Sequence, residues 1–345
     1  MATKSKCIWV SKDESGSILR SRAETELSEL PEGHVRIRVR YSSLNYKDAL
    51  AATGNSGVVR QLPIIPGIDA AGEVLDGGLS GFNEGQKVMV AHAQFGTESH
   101  GGYSEIIQVP AEWVSLLPDN LSLRDAMAIG TAGFTAAQCV SELERHSIQP
   151  DQGPVVVSGA TGGVGIFSVK LLSKLGFEVF AVTGKSDKVE WLKSQGAAQV
   201  MERGDVDDSS GRPLLSSRWA GAVDTVGGNV LATILRSAKP YSCVTACGLV
   251  GGNDLNLTVY PFILRGITLQ GVDTANISVQ RRRQIWQRIA TEWSFGDLDS
   301  LVTEVDFEGA DLWTSGDQGL IQRSRFRDLN QPHANSDGVR PTSLA

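Results

Sequence analysis

Apolar positions along this chain follow two regimes. In the first third, short runs alternate apolar with polar residues. Cys7–Val10 and Val35–Tyr41 have the pattern of half-buried strands, separated by a polar, acidic stretch that ends in the turn signal Pro31–Gly33. Residues 42–54, SSLNYKDALAATG, predict a short helix from Asp48 to Ala52 that stops at Gly54. Pro63, Pro66 and Gly67 fix a turn before a strand at Ala70–Leu75. Further strands are expected at the end of Gly81–Val90 and over Gly101–Val109. Short strands joined by glycine turns suggest a small barrel-like β domain reaching about Pro118.

Helical periodicity then takes over. Leu121–Ile129 reads as a helix capped by Ser122 and closed by Gly130, and Thr131–Arg145 as a second one. Strands follow at Val155–Val157, 177–182, 197–201, Ala222–Val226, Ser242–Gly248 and Thr268–Val272. Helices alternate with them at 166–175, 186–195 and Val230–Ala238, and Val279–Ala290 comes after. Strands alternating with helices predict an α/β fold with a doubly wound parallel sheet. No fixed-period repeat is present. From Asp311 to Ala345 the periodicity fades, and little regular structure is expected after about Gln331.

The first of the parallel-sheet strands carries the strongest motif. Residues 155–165, VVVSGATGGVG, run a β-branched strand into a glycine cluster and then a helix. Gly159, Gly162 and Gly165 are spaced GxxGxxG rather than GxGxxG, but the physical logic is shared. Glycines let the backbone turn tightly beside a pyrophosphate, and free N–H groups at the helix start attract its charge. The bland alternative is a tight strand–helix turn with no ligand. After the next strand come Thr183, Gly184, Lys185, Ser186, Asp187 and Lys188. Sites that prefer NAD place an acid there for the ribose hydroxyls. A hydroxyl, a glycine and a lysine suit the 2′-phosphate of NADPH instead. A lysine at a helix start opposes the dipole, which favours the ligand reading over a merely solvated helix start. Asp187 complicates it.

Composition narrows the classes. The 345 residues allow two domains, and a net charge of −7 argues against a nucleic-acid binder. No apolar run approaches a membrane span, and the N-terminus shows no signal-peptide core, so a cytoplasmic protein is expected. Cys7, Cys139, Cys243 and Cys247 form no C-x-x-C pair and read as reduced thiols.

The order of β domain, two helices and GxxGxxG unit resembles the medium-chain dehydrogenase/reductase superfamily. Within it, the chain is similar to the NADPH-dependent acryloyl-CoA reductases, often labelled quinone oxidoreductases. The resemblance rests on SSLNYKDALAATG (42–54), PIIPGIDAAGEV (63–74), IGTAGFTA (129–136), SGATGGVG (158–165), WAGAVDTVGG (219–228), ACGLVGG (246–252) and PFILRGITLQGVD (261–273). It implies a GroES-like β-barrel domain plus a Rossmann domain, with the active site in the cleft between them. The expected division is 1–125 GroES-like, 126–272 Rossmann, 273–310 a return to the catalytic domain, and 311–345 an atypical tail. Family members end in a helix and a short strand that 311–345 do not show, which fits a shifted reading frame near residue 310 or a divergent tail.

By the same resemblance, Tyr46, Thr161, Gly162, Gly163 and Val164 contact the cofactor, Arg203 joins Thr183, Gly184 and Lys185 at its phosphate, and Leu249, Ile263 and Thr274 lie at its nicotinamide half. Asn45, Tyr46 and Asp48 are the candidate catalytic cluster: Asn45 to donate to a carbonyl, Tyr46 to bind cofactor or relay a proton, Asp48 to orient both. The bland reading makes Asp48 a helix cap and Asn45 a turn residue. Gly67-Ile68-Asp69 stands where the superfamily's zinc enzymes carry G-H-E, and no cysteine lies near Asn45, so no metal site is expected. His92 and His100 have no assigned role. Arg281, Arg282 and Arg283 could meet CoA phosphates but read better as a solvated helix face. The resulting expectation is a homodimeric, zinc-independent NADPH reductase of an enoyl thioester such as acryloyl-CoA, with a quinone reductase or a non-catalytic NADPH-binding protein as alternatives.

Overall fold

The computed structural model describes residues 3–305 and the backbone of 323–325. The alternating N-terminal segments form β1 (Thr3–Lys12), β2 (Ile18–Leu27) and β3 (His34–Tyr41), followed by α1 (Tyr46–Ala52). Next come β4 (Asp69–Asp76), β5 (Lys87–Ala91), β6 (Ile106–Pro110) and β7 (Val114–Leu116). Five of these strands make an antiparallel sheet in the order β6-β3-β4-β5-β7, while β1 and β2 form a hairpin of their own. Bridges Cys7↔Ser104 and Val10↔Ile64 tie that hairpin to the sheet's loops. Val35, Ile37 and Val39 point into one apolar cluster with Val88, Val90, Ile107 and Val109, as period-two alternation requires.

Strand β2 is a correction, since the sequence pattern marks its residues as a polar connection. Its burial alternates only weakly, and its partner β1, not a core, holds it in register. Glycine also shortened an expected strand: β6 begins at Ile106 rather than at Gly101. Residues Gly101 and Gly102 instead donate backbone hydrogen bonds to Ile65 and Gly67. A Cβ at Gly101 would lie 2.4 Å from the carbonyl oxygen of Gly67, so the close approach needs glycine.

A long helix, α2 (Leu123–Arg145), connects the two sheets, with the side chain of Ser122 accepting the cap bond from the Asp125 N–H. Gly130 breaks it internally, at φ 49 and ψ −165, so the two helices read from the sequence are joined end to end across one glycine. The second sheet contains β8 (Val155–Val157), β9 (Val179–Thr183), β10 (Gln199–Glu202), β11 (Trp219–Asp224), β12 (Ala238–Ala246) and β13 (Thr268–Gly271). Its order is β10-β9-β8-β11-β12-β13, and every pairing is parallel. Helices α3 (Gly163–Lys174), α4 (Val189–Ser194), α5 (Gly228–Arg236) and α6 (Tyr260–Arg265) lie between its strands. Strands β8 and β11 are buried throughout, which is why they read as continuous apolar runs. Helix α6 was not foreseen, because Pro261 and only six residues give it little periodicity.

Helix α7 (Val279–Ile289) packs back onto α2 through Trp286, whose ring lies 5.6 Å from that of Phe134. The chain then reaches β14 (Val302–Glu304), which pairs in parallel with β15 (Arg323–Arg325). That short strand lies before Gln331, beyond which little regular structure is expected, and the rest of the atypical tail lies outside the described residues. Among the described residues no helix is long and apolar enough to cross a membrane.

Candidate active site

The glycine loop leaves β8 at the C-terminal edge of the parallel sheet, where open α/β sheets take ligands. Gly159 turns the chain at φ 60, and the Gly162 N–H closes the turn on the Gly159 carbonyl at 2.9 Å. A Cβ on Gly165 would stand 2.3 Å from that same carbonyl oxygen. Glycine at 165 therefore lets the first turn of α3 press against the loop. Gly163 opens that helix, so its first N–H groups have no partner within it. A second device was not legible in the sequence. Ser158 donates to the buried Asp224 at 2.6 Å, and Asp224 also accepts from the Gly227 N–H at 2.8 Å. The loop after β8 is thereby tied to the loop after β11.

The four residues expected at the cofactor's distal phosphate come together. Thr183 Oγ1 lies 3.3 Å from Thr161 Oγ1 and accepts from the Lys185 N–H at 3.1 Å. A Cβ built on Gly184 would be 3.3 Å from Nη2 of Arg203, which places that guanidinium against the glycine. Asp187 turns to Lys188, at 3.9 Å, and is largely exposed. Leu249 follows β12 with its backbone close to Gly227, and its side chain is 66% exposed. Ile263 stands 68% exposed on α6, apart from the buried cluster that takes Phe262.

Two of the three catalytic candidates, Asn45 and Asp48, join a polar knot where β4, α1 and α2 meet. At its centre is Asp69, 2% exposed. Its carboxylate accepts from Ser43 Oγ at 2.5 Å, Asn45 Nδ2 at 2.9 Å, the Thr131 N–H at 2.8 Å and Thr131 Oγ1 at 2.6 Å. Gly130 permits this approach, since a Cβ there would sit 2.9 Å from Ser43 Oγ and 3.2 Å from Asp69 Oδ2. Sequence reading saw Asp69 only as the place of a missing zinc ligand, because its partners lie 24 to 62 positions away. These residues do not fit a catalytic zinc. The carboxylate is filled by four donors, and Ile68 stands where a histidine would ligate.

Asn45 departs from its expected role. Its two amide hydrogens face three internal acceptors: Ser43 Oγ at 3.0 Å, Asp48 Oδ2 at 3.1 Å and Asp69 Oδ2 at 2.9 Å. None is left to donate to a substrate carbonyl. Asp48 is fully buried. Its oxygens accept from the Asn45 N–H at 2.8 Å and the Ile68 N–H at 2.9 Å. The cap reading fits this geometry, since the carboxylate accepts from the N–H of Asn45 at the start of α1. Tyr46, next in the chain, is 49% exposed and is the member of the cluster that a ligand can reach.

Burial pushes the Asp48 carboxyl up to about 7, its N–H partners pull it down, and the charge of Asp69 adds to the rise. The native state therefore holds this proton more tightly than the unfolded chain, whose value is near 3.8. The contribution to stability is complete below pH 3.8 and disappears as pH rises to about 7. The shift corresponds to roughly 4 kcal/mol. Asp48→Asn removes the titration. Wild type should lose on the order of 4 kcal/mol of stability relative to the variant between pH 4 and pH 8 in denaturant titrations, and a constant difference would contradict the assignment.

Comparison with known proteins is consistent with this geometry. The family described as alcohol dehydrogenase GroES-like domain matches residues 31–119, and that described as zinc-binding dehydrogenase matches 163–291. The acrylyl-CoA reductase of Ruegeria pomeroyi is 41% identical over 318 residues, covering 90% of this chain and 96% of that protein. A Salmonella enterica oxidoreductase solved in complex with NADP aligns with TM-score 0.88 and 42% identity, over 94% of this chain and 99% of that one. A Bacillus subtilis protein solved with NAD bound aligns with TM-score 0.89 and 38% identity, over 94% and 100%.

Proposed function

The chain belongs to the medium-chain dehydrogenase/reductase superfamily, in the family of the acrylyl-CoA reductases, and on that premise we propose a zinc-independent, NADPH-dependent reduction of acryloyl-CoA to propanoyl-CoA. One observation carries the reading: a phosphate-ready glycine loop and a Lys185–Arg203 pair share a fold with a polar knot that has no room for a metal.

NADPH, when bound, supplies the hydride. Gly162, Gly163 and Val164 would hold its pyrophosphate at the start of α3, with Thr161 beside them. Thr183, Gly184, Lys185 and Arg203 would hold the 2′-phosphate, and Tyr46, Leu249, Ile263 and Thr274 the nicotinamide half. Hydride arriving at Cβ of the enoyl thioester pushes an electron pair toward the carbonyl oxygen, and Cα then takes a proton. The hydroxyl of the half-exposed Tyr46 is the relay for that proton. Asn45 and Asp48 act as positioning residues that set the start of α1 and therefore Tyr46. The exposed apolar side chains Val259, Tyr260 and Leu264 at α6, together with the edge strand β13, support a homodimer. We place the protein in the cytoplasm.

The test is NADPH oxidation followed by absorbance with acryloyl-CoA and, separately, with a quinone. Turnover of the thioester supports the proposal. Turnover of the quinone alone assigns a quinone reductase, and cofactor binding without either assigns a non-catalytic protein.

A further inference from the structure

With the Asn45 hydrogens turned inward, the cleft needs another donor for the substrate oxygen. The arginine run on α7 supplies a candidate, because its three members have different surroundings. Arg281 donates to Ser141 Oγ at 2.5 Å and stands 3.6 Å from the Glu142 carboxylate. Arg283 is exposed. Arg282 folds inward: its guanidinium lies 5.4 Å from the centroid of the Phe134 ring, and Nη2 donates to the Thr274 carbonyl at 2.9 Å. The run is not the solvated face that charge composition suggested.

The surroundings of Arg282 come from both sheets. Asp69 of β4 and Asp273 beyond β13 lie within electrostatic reach of its charge, as does His92 after β5. His92 itself stacks on Trp113 at 4.2 Å. Phe134 stands one turn along α2 from Thr131, which binds Asp69. Arg282 is thus at the junction of the β domain, α2 and the end of the parallel sheet. Among the described residues its five N–H groups make one hydrogen bond, to Thr274, and none of its nitrogens is sealed without a partner. An arginine held by a ring stack and a single carbonyl keeps donors open to the cleft.

We propose that Arg282 is a catalytic residue that donates to the thioester carbonyl oxygen of the substrate and receives the negative charge that forms there. This rests on the reductase reading above. When hydride reaches Cβ, the C=C π pair moves to form the Cα=C bond while the carbonyl π pair moves onto oxygen. The guanidinium stays protonated and binds that oxygen. Protonation at Cα then restores the carbonyl and gives the saturated thioester. Nothing leaves, and the overall balance is one hydride and one proton added. Preorganised donors of this kind act where charge develops, so their loss is read in kcat.

The test uses the full-length protein and the variants Arg282→Ala, Arg282→Gln and Arg282→Lys. Acryloyl-CoA and the short thioester acryloyl-N-acetylcysteamine, which lacks the CoA phosphates, serve as substrates. With both, kcat should fall about 100-fold or more in the Ala and Gln variants and less in the Lys variant. NADPH affinity, read by fluorescence titration, should stay within about threefold, and added guanidinium should restore part of the Ala variant's rate. A loss confined to the CoA substrate would overturn the proposal in favour of phosphate binding. Variants at wild-type rates would overturn it while leaving the reductase reading standing. If Arg282→Ala does not fold, the Lys and Gln pair decides: equal wild-type rates overturn the proposal, and a graded loss supports it. A wild-type protein inactive on both thioesters would overturn the reductase reading and this proposal together.

Discussion

Replacing both Lys185 and Arg203 with alanine should lower kcat/KM for NADPH at least ~100-fold and leave that for NADH within about threefold. Each cation would meet the 2′-phosphate through a charge-assisted hydrogen bond, for which 1.5–3 kcal/mol is usual, and the low end of about 1.5 applies because both side chains are exposed. Two such contacts give about 3 kcal/mol, and each 1.4 kcal/mol is roughly tenfold. The structure supports treating them as one site, since Arg203 lies against Gly184 and the Lys185 backbone is pinned to Thr183. A relative solved with NAD bound makes the comparison between the two coenzymes pointed. On this proposal the deciding feature would be the absence of an acid at 183–185, with Asp187 turned to Lys188. Steady-state kinetics with both coenzymes on wild type and the double variant checks this. Equal losses for NADPH and NADH would mean the pair supports the loop rather than reading the phosphate.

The second large effect is on stability. Asp69→Ala should lower the thermal midpoint by on the order of 10 °C. The substitution strands the hydroxyls of Ser43 and Thr131, an amide hydrogen of Asn45 and the Thr131 N–H. A buried donor without an acceptor costs about 1–3 kcal/mol. Coupled losses do not add fully, so about 4 kcal/mol is the expected total. In a chain of this size each kcal/mol moves the midpoint by roughly 2–4 °C. Asp76→Ala, at the exposed end of the same strand, should shift it by about 1 °C or less. Differential scanning calorimetry separates the two. Equal shifts would show that the knot does not join β4 to α2 as described.

Local patterns account for what the sequence made legible. Strand–glycine–helix spacing and near-continuous apolar strands identify the parallel sheet because each signal spans fewer than twelve residues. The cofactor loop belongs to this class, and so does Gly130, whose stop signal became a kink between two consecutive helices. The knot was only half visible. Asn45 and Asp48 are three apart and could be paired on a helix start, but Asp69 and Thr131 are brought in by the β4–α2 packing. Arg282 was misread for the same reason. Charge in a run says nothing about which member faces an aromatic ring on another helix, and only the packing of α7 on α2 separates it from Arg281 and Arg283. Strand β2 was missed because its register comes from β1 and not from a buried face of its own.

The central claim is that this fold uses NADPH to reduce an enoyl thioester without a metal. The most direct measurement is a single-turnover reaction of acryloyl-CoA with [4-²H]NADPH labelled on the transferred face, after dialysis against a chelator, with the product analysed by mass spectrometry. The account predicts propanoyl-CoA carrying one deuterium at Cβ, formed at the same rate before and after chelation. Unlabelled product, deuterium at Cα, or a rate that vanishes with chelation and returns with zinc would contradict it.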